Sequence, residues 1–289
     1  MHAGSGRPYR NQVAALTTMH GKERVIAPVL NEGLGLVVEV IGGVNTDCFG
    51  TFSRDVERTG SQLDAARAKI AVGFERNAFA RVGLASEGSF GPHPHIPFLP
   101  IGREFVVLVD RDKGLELIGQ DSSPATNFGH ARVSNLAEAV AFAERTGFPG
   151  HGVIVIGCDG DQPAPERILI KDFVLEATLH SAVLQAIGLC GSAFIEADMR
   201  AHRNPTRMDA IERAARDLVR RYISQCPACA WPGFDVTERV AGLPCAWCGG
   251  PTQEIQTEVL LCAQCTHCVA RPATSETTAD PGRCNDCNP

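Results

Sequence analysis

Aromatic side chains are scarce in this 289-residue chain. Two Trp, two Tyr and thirteen Phe make up 6% of it, too few for the stacked-ring platforms on which single-stranded nucleic acids lie. Positive charge is not in excess either. Lys and Arg number 27 against 33 Asp and Glu, a formal −6, which disfavours nucleic acid as the main partner. No run approaches the roughly 18 apolar residues of a membrane-spanning helix, so no membrane partner is expected. The opening MHAGSGRPYRNQ lacks the apolar core of a secretory signal. The expectation is a cytoplasmic protein with a disordered lead over residues 1–12. No Walker P-loop and no Ser-His-Asp order stand out. Apolar residues at 44% and charged residues at 21% are those of an ordinary globular chain.

Cysteine is what the chain has in plenty. Of twelve, nine fall between Cys226 and Cys287, leaving Cys48, Cys158 and Cys190 for everything before. In a reducing compartment, clustered cysteines bind metal more often than they form disulfides. The tail reads Cys226-Pro-Ala-Cys229, fifteen residues, Cys245-Ala-Trp-Cys248, then Cys262-Ala-Gln-Cys265, eighteen residues, Cys284-Asn-Asp-Cys287. Both gaps suit two C-x₂-C knuckles closing one tetrahedral shell, so the expectation is two structural zinc ions. The first is assigned to Cys226, Cys229, Cys245 and Cys248, and the second to Cys262, Cys265, Cys284 and Cys287. Cys268 and His267 stand beside the second set, with Cys268 as a bystander. Residues 226–289 carry three Arg and no Lys against seven acids, a formal −4. Each all-thiolate zinc shell adds a further −2. That charge favours a stabilising or protein-contacting role over a phosphate clamp.

Before the tail, short apolar strands alternate with helical periodicity. Strands are expected at Val13–Thr17, Leu36–Ile41, Val82–Ser86, Phe105–Asp110 and Val153–Ile156. Helices are expected after Lys22, from Ser61 with Asp64 completing a capping box, over Asn135–Arg145, over Asp172–Ile187, and from Asn204-Pro205. The arginines of the last helix, Arg213, Arg216, Arg220 and Arg221, read as a solvated face balanced by acids. This predicts an α/β domain over 13–224 with a mixed or mostly parallel central sheet flanked by helices. A small C-terminal double zinc-ribbon module follows at 225–289.

Polar groups gather at element ends, where open α/β sheets place their sites. The turn Thr17-Thr18-Met19-His20-Gly21-Lys22 offers Gly21 and Lys22 to a phosphate. Asn45–Phe52 contains Asp47, and the following helix carries Arg67 and Lys69. Leu84–Gly91 contains Ser86 and Glu87, where a carboxylate beside cations would suit Mg²⁺ on a phosphate chain. Glu196, Asp198, Arg200, His202 and Arg203 crowd together before the last helix, to contact phosphate or to pair with one another. Pro92-His93-Pro94-His95 could chelate a cation. Asp159-Gly160-Asp161 could do the same or simply turn the chain. Cys158 reads as core.

The order Gly21-Lys22, Ala66-Arg67-Ala68-Lys69, Ala85-Ser86-Glu87-Gly88 resembles the house-cleaning inosine/xanthosine triphosphate pyrophosphatases over about residues 13–160. The resemblance implies an inosine triphosphatase-like sheet, Lys22 on the phosphates, Arg67 or Lys69 as the helix cation and Glu87 on Mg²⁺. The sequence departs from that pattern in having Ser86-Glu87 where many members carry paired aspartates. The whole chain resembles a group of uncharacterised bacterial proteins with the same body and a cysteine-rich tail ending Cys-Asn-Pro. The residues shared are Asn45-Thr46-Asp47, Phe49–Phe52, Ala85–Pro92 and Asp198–His202.

The functional expectation is a Mg²⁺-dependent hydrolase of a nucleotide or phosphorylated small molecule. Glu87 and Asp47 would be its catalytic carboxylates, and Gly21, Lys22, Arg67, Lys69, Ser86, Arg200 and His202 would bind phosphate. The alternative is a non-catalytic ligand- or protein-binding module with a zinc docking tail. A homo-oligomer is compatible with either.

Overall fold

A computed structural model describes residues 8–44 and 60–288. The chain divides into two compact units, Met1–Val219 and Arg220–Pro289. Asp47 and the rest of Asn45–Phe52 lie outside the described residues.

The first unit is built on two sheets. In one, β1 (Val13–Leu16) pairs in parallel with β2 (Val37–Val40) and with β3 (Val82–His93). Antiparallel β4 (Ile96–Asp110) and β5 (Leu115–Ser123) complete the order β2-β1-β3-β4-β5. The expected strands at 82–86 and 105–110 are the inner ends of one long β3–β4 hairpin that closes at His93 and Ile96. Helix α1 (Glu23–Leu34) links β1 to β2 and ends on Gly35, whose φ of 78° admits the left-handed cap. Helix α2 (Gln62–Arg76) starts at Ser61, and the capping box with Asp64 is present. Its Ala66 and Ile70 pack on Ala85 and Val107, covering one face of the sheet.

The second sheet has the order β6 (His130–Val133), β9 (Ala193–Ala197), β7 (Val153–Asp159), β8 (Gln162–Ile170). All of its pairings are antiparallel. Helices α3 (Leu136–Thr146) and α4 (Glu176–Cys190) cover it through Phe142, Leu179 and Val183. The expectation of one central sheet is therefore corrected to two. The reason is that β7 is apolar and buried on both faces, a pattern that also belongs to parallel core strands. Direction is set by its neighbours, and both run antiparallel to it. Cys158 is core, packed with Ile154, Ile156 and Phe194. Helix α5 (Pro205–Ile223) crosses β5 at Gly119, where an added Cβ would stand 2.2 Å from the Ala214 carbonyl oxygen.

Of the lead expected to be disordered over 1–12, residues 8–12 are described, and Tyr9 among them packs into the first unit. Its ring is buried, and its hydroxyl donates to Asp110 Oδ2 at 2.8 Å. No helix among the described residues is long and apolar enough to cross a membrane.

The second unit is a three-stranded antiparallel sheet, β10 (Asp235–Ala241), β11 (Ile255–Leu261) and β12 (Cys268–Pro272). Its apolar core is small: Phe234 and Leu260 pack against Cys226, Cys262, Trp231 and Val236. So little buried area cannot hold a fold alone, and cross-links must supply the rest.

Candidate functional site

The cysteine knuckles repeat one backbone design. In all four, the N–H of the residue after the second cysteine returns to the carbonyl of the first: Ala230 to Cys226, Gly249 to Cys245, Thr266 to Cys262 and Asn288 to Cys284, at 2.8–3.2 Å. Ala230, Gly249 and Thr266 take positive φ of 58–71° to close that turn. Further N–H groups point at sulfur, from Trp247 to Cys245, Gly250 to Cys248 and Gln264 to Cys262, each at 3.4 Å. N–H groups of this kind, Cys248 onto Cys245 and Cys265 onto Cys262 first among them, bring those two thiols down to about 7.

The knuckles meet in two sets of four sulfurs, and the sets interleave. Cys226, Cys229, Cys262 and Cys265 form one, while Cys245, Cys248, Cys284 and Cys287 form the other. Opposed sulfurs stand 3.7 and 3.6 Å apart in the first set and 3.8 and 3.7 Å apart in the second. Four sulfurs held about 2.3 Å from one ion at tetrahedral angles stand about 3.8 Å apart, so each set fits zinc. The eight ligands are those expected, but the first-with-second and third-with-fourth pairing is corrected to first-with-third and second-with-fourth. The β10–β11 hairpin is the cause. It pairs Asp235 with Leu261, which brings the first and third knuckles to one end, and Ala241 with Ile255, which leaves the second at the other. Strand β12 then carries the chain back to that second end, pairing Pro272 with Thr257. Cys268 opens β12, exposed and outside both sets. With four sulfurs in each set, neither leaves an open position on a tetrahedral ion, the arrangement of structural rather than catalytic zinc sites.

The first unit buries a charged cluster where β1 stops and β3 runs on beside it. Lys22, at the start of α1, extends its amine into the place β1 vacates, and Nζ donates to the Ser86 carbonyl at 2.8 Å. Because side chains alternate along β3, Glu87 faces α2 and is ion-paired there with Lys69. The opposite face carries Glu104, which lies across from Gly88 in the β3–β4 register. Arg207, from the first turns of α5, donates its Nε to Glu104 Oε1 at 2.6 Å, both side chains being 1% exposed. Gly88 is required at that position: a Cβ would come within 2.5 Å of Glu104 Oε1 and 2.7 Å of Arg207 Nη2.

Three cations and two carboxylates thus share one buried region. Burial first, and the Arg207 guanidinium second, push the Lys22 amine down to about 7. Among the described residues, the hydroxyls of Thr17, Thr18 and Ser86, and Glu104 Oε2, are buried without a hydrogen-bond partner; that of Thr17 lies against Gly73 of α2. Orphaned groups of this kind are costly unless water or a ligand satisfies them.

The expected site residues therefore separate. Gly21, Lys22, Lys69, Ser86 and Glu87 are brought together. Arg67 is not: it points outward from α2 and grips Glu116 in a two-pronged ion pair at 2.9 and 2.6 Å. Arg200 is tied to Asp198 and Asp172, so it belongs to an ion-pair network. His202 stacks on His20 with ring centroids 4.9 Å apart. Burial, and then Arg200 beside it, hold its imidazole below the usual value. Asp159 and Asp161 pair with Arg167 and Arg132 at a turn. His93, half-buried, and His95, exposed, lie at the hairpin end. Glu104 and Arg207 carried no sequence signal, since a glutamate in a long strand and one arginine among many in a helix look solvated. Among the described residues, both carboxylates at the cluster are already countered by cations.

No curated protein matches the chain. A family model described as a domain of unknown function, DUF6671, matches residues 71–289, which include Glu87, Glu104, Arg207 and all eight sulfur ligands but not Lys22 or Lys69. From β3 to its last knuckle, the chain belongs to the DUF6671 family.

Proposed function

We propose that the α/β unit binds a phosphorylated small molecule, nucleotides included, at the Lys22–Ser86 cluster and hydrolyses it, while the zinc unit is structural. The observation that carries this reading is the meeting of Lys22, Lys69 and Arg207 in one buried place, with the Ser86 hydroxyl unpartnered on the residue that Lys22 contacts. Phosphate oxygens accept from cations and hydroxyls alike, and a buried setting strengthens each bond. The order of Gly21-Lys22, Lys69 and Ser86-Glu87, which resembles the inosine/xanthosine triphosphate pyrophosphatases, supports the same reading. Thiolate-rich zinc sites support a reducing, cytoplasmic setting.

The test is a panel of nucleoside triphosphates and sugar phosphates, read by phosphate or pyrophosphate release with and without added Mg²⁺. Turnover that falls in Glu104→Gln, measured where circular dichroism shows the variant folded, supports the reading, and no release from any compound overturns it. A second reading, a binding module without turnover, is favoured by one feature: Glu87 and Glu104 each already neutralise a cation. Ligand-dependent thermal stabilisation without product would decide for it.

A further inference from the structure

The charges around Lys22 do not pair evenly. Glu87 is held by Lys69 from α2, and Glu104 by Arg207 from α5. Lys22, 6% exposed, has one hydrogen-bond partner among the described residues, and that partner is the neutral Ser86 carbonyl. It is the odd cation of the set. Two further cations flank it, while the carboxylates that would favour its charge are engaged elsewhere. An ammonium buried in this way is disfavoured, so the amine gives up its proton more readily than a solvated lysine. The uncharged amine still has an N–H for Ser86, and its lone pair is left free. Ser86 presents a buried hydroxyl without a partner beside it, and Thr18 from the same turn presents another. Unpartnered buried hydroxyls of this kind call for a water molecule or a ligand.

We propose that Lys22 is the general base of this site: its Nζ takes a proton from the water that attacks phosphorus. The assignment rests on the phosphate-hydrolase reading above. In the step, the water oxygen forms a bond to phosphorus and its proton passes to Nζ. The P–O bond to the leaving phosphate breaks, and the electron pair departs on that oxygen. Lys22 becomes an ammonium next to the charge developing on the phosphoryl oxygens, which favours the transition state over the ground state. The groups facing Lys22 are Arg207 and Lys69, which oppose its charging, and Glu87 and Glu104, which favour it. Burial adds to the first pair.

An arginine at position 22 separates this role from simple phosphate holding, since guanidinium keeps the charge and never acts as a base. With a substrate that releases phosphate, Lys22→Arg and Lys22→Ala are both expected to lose on the order of a hundredfold or more in kcat/KM at pH 8. Added ethylamine is expected to restore part of the rate to Lys22→Ala and none to Lys22→Arg. In protein carrying ¹³Cε-labelled lysine, the Lys22 signal, identified by its loss in Lys22→Arg, is expected to titrate near neutrality. A Lys22→Arg rate within twofold of the native protein, or a Lys22 midpoint above about 9.5, overturns the assignment while leaving hydrolysis standing. No release from any substrate overturns hydrolysis itself, and the base with it.

Discussion

Cys226 Sγ lies 3.7 Å from Cys265 Sγ across 39 positions of chain, whereas Cys245, only nineteen residues on, belongs to the other sulfur set. Metal content of paired cysteine variants reads this out directly. Cys229→Ser with Cys265→Ser removes ligands from one site, so the chain is expected to go from two zinc ions to one. Cys229→Ser with Cys248→Ser strikes both sites and is expected to leave none. Mass spectrometry under native conditions counts the ions, and the reverse outcome would restore the sequential pairing.

Chelation is expected to unfold the second unit. Each structural zinc supplies on the order of 10 kcal/mol to a small fold of this kind, and the core beside the first set is little more than Phe234 and Leu260. Amide exchange of β10–β12 with and without a strong chelator measures the effect. Persistence of protection after metal removal would show that the sheet stands on its own.

Lys22 makes stability depend on pH in a stated direction. Its folded value, about 7, lies below the ordinary 10.5, so between those values the unfolded chain binds the extra proton. Stability is therefore expected to rise with pH through this window, at up to about 1.4 kcal/mol per pH unit. The destabilising contribution is greatest below pH 7. Urea unfolding of the native protein and Lys22→Met between pH 6 and 9 tests this. The variant is expected to be the more stable at pH 6 and to lack the slope.

The Glu104–Arg207 pair is expected to couple strongly. Removing one member of a buried pair leaves the other uncompensated and costs about 3–5 kcal/mol. Glu104→Gln and Arg207→Met should each fall in that range, and the double variant should cost well below their sum. Additive losses would mean that each residue is held by other partners.

Gly119 is where α5 meets β5. A methyl group there would press on the Ala214 carbonyl and, at 2.4 Å, on the Leu218 nitrogen, both backbone atoms of the helix. Gly119→Ala is expected to destabilise the first unit by about 3 kcal/mol. Gly114→Ala meets no atom within 4 Å, although its φ of 63° adds backbone strain, and serves as the comparison for conformation alone.

Local pattern carried a good part of this structure. Ser61 with Asp64 announced a helix start because a capping box is a three-residue interaction, complete within the sequence that encodes it. The four C-x₂-C knuckles were legible for the same reason, each being a turn closed by its own backbone. The Lys22, Lys69 and Ser86-Glu87 segments were visible as polar groups at element ends. Direction and partnership were not visible. The apolar run Val153–Ile156 fits a strand in either direction, and Arg67 has the same local surroundings as Lys69 yet pairs on the outside of α2.

The sequence by itself determined which eight cysteines gather into sets that fit a metal and where a capped helix such as α2 begins, since those depend on neighbours a few residues away. Tertiary structure decided which knuckles share an ion, through the antiparallel return of β10 on β11. It also decided which charges share the buried cluster. Glu87 and Glu104 reach opposite faces of the β3–β4 hairpin, and α2 and α5 bring each of them a cation. Lys22 is left between them without a carboxylate of its own, a position that exists only once the sheet is assembled.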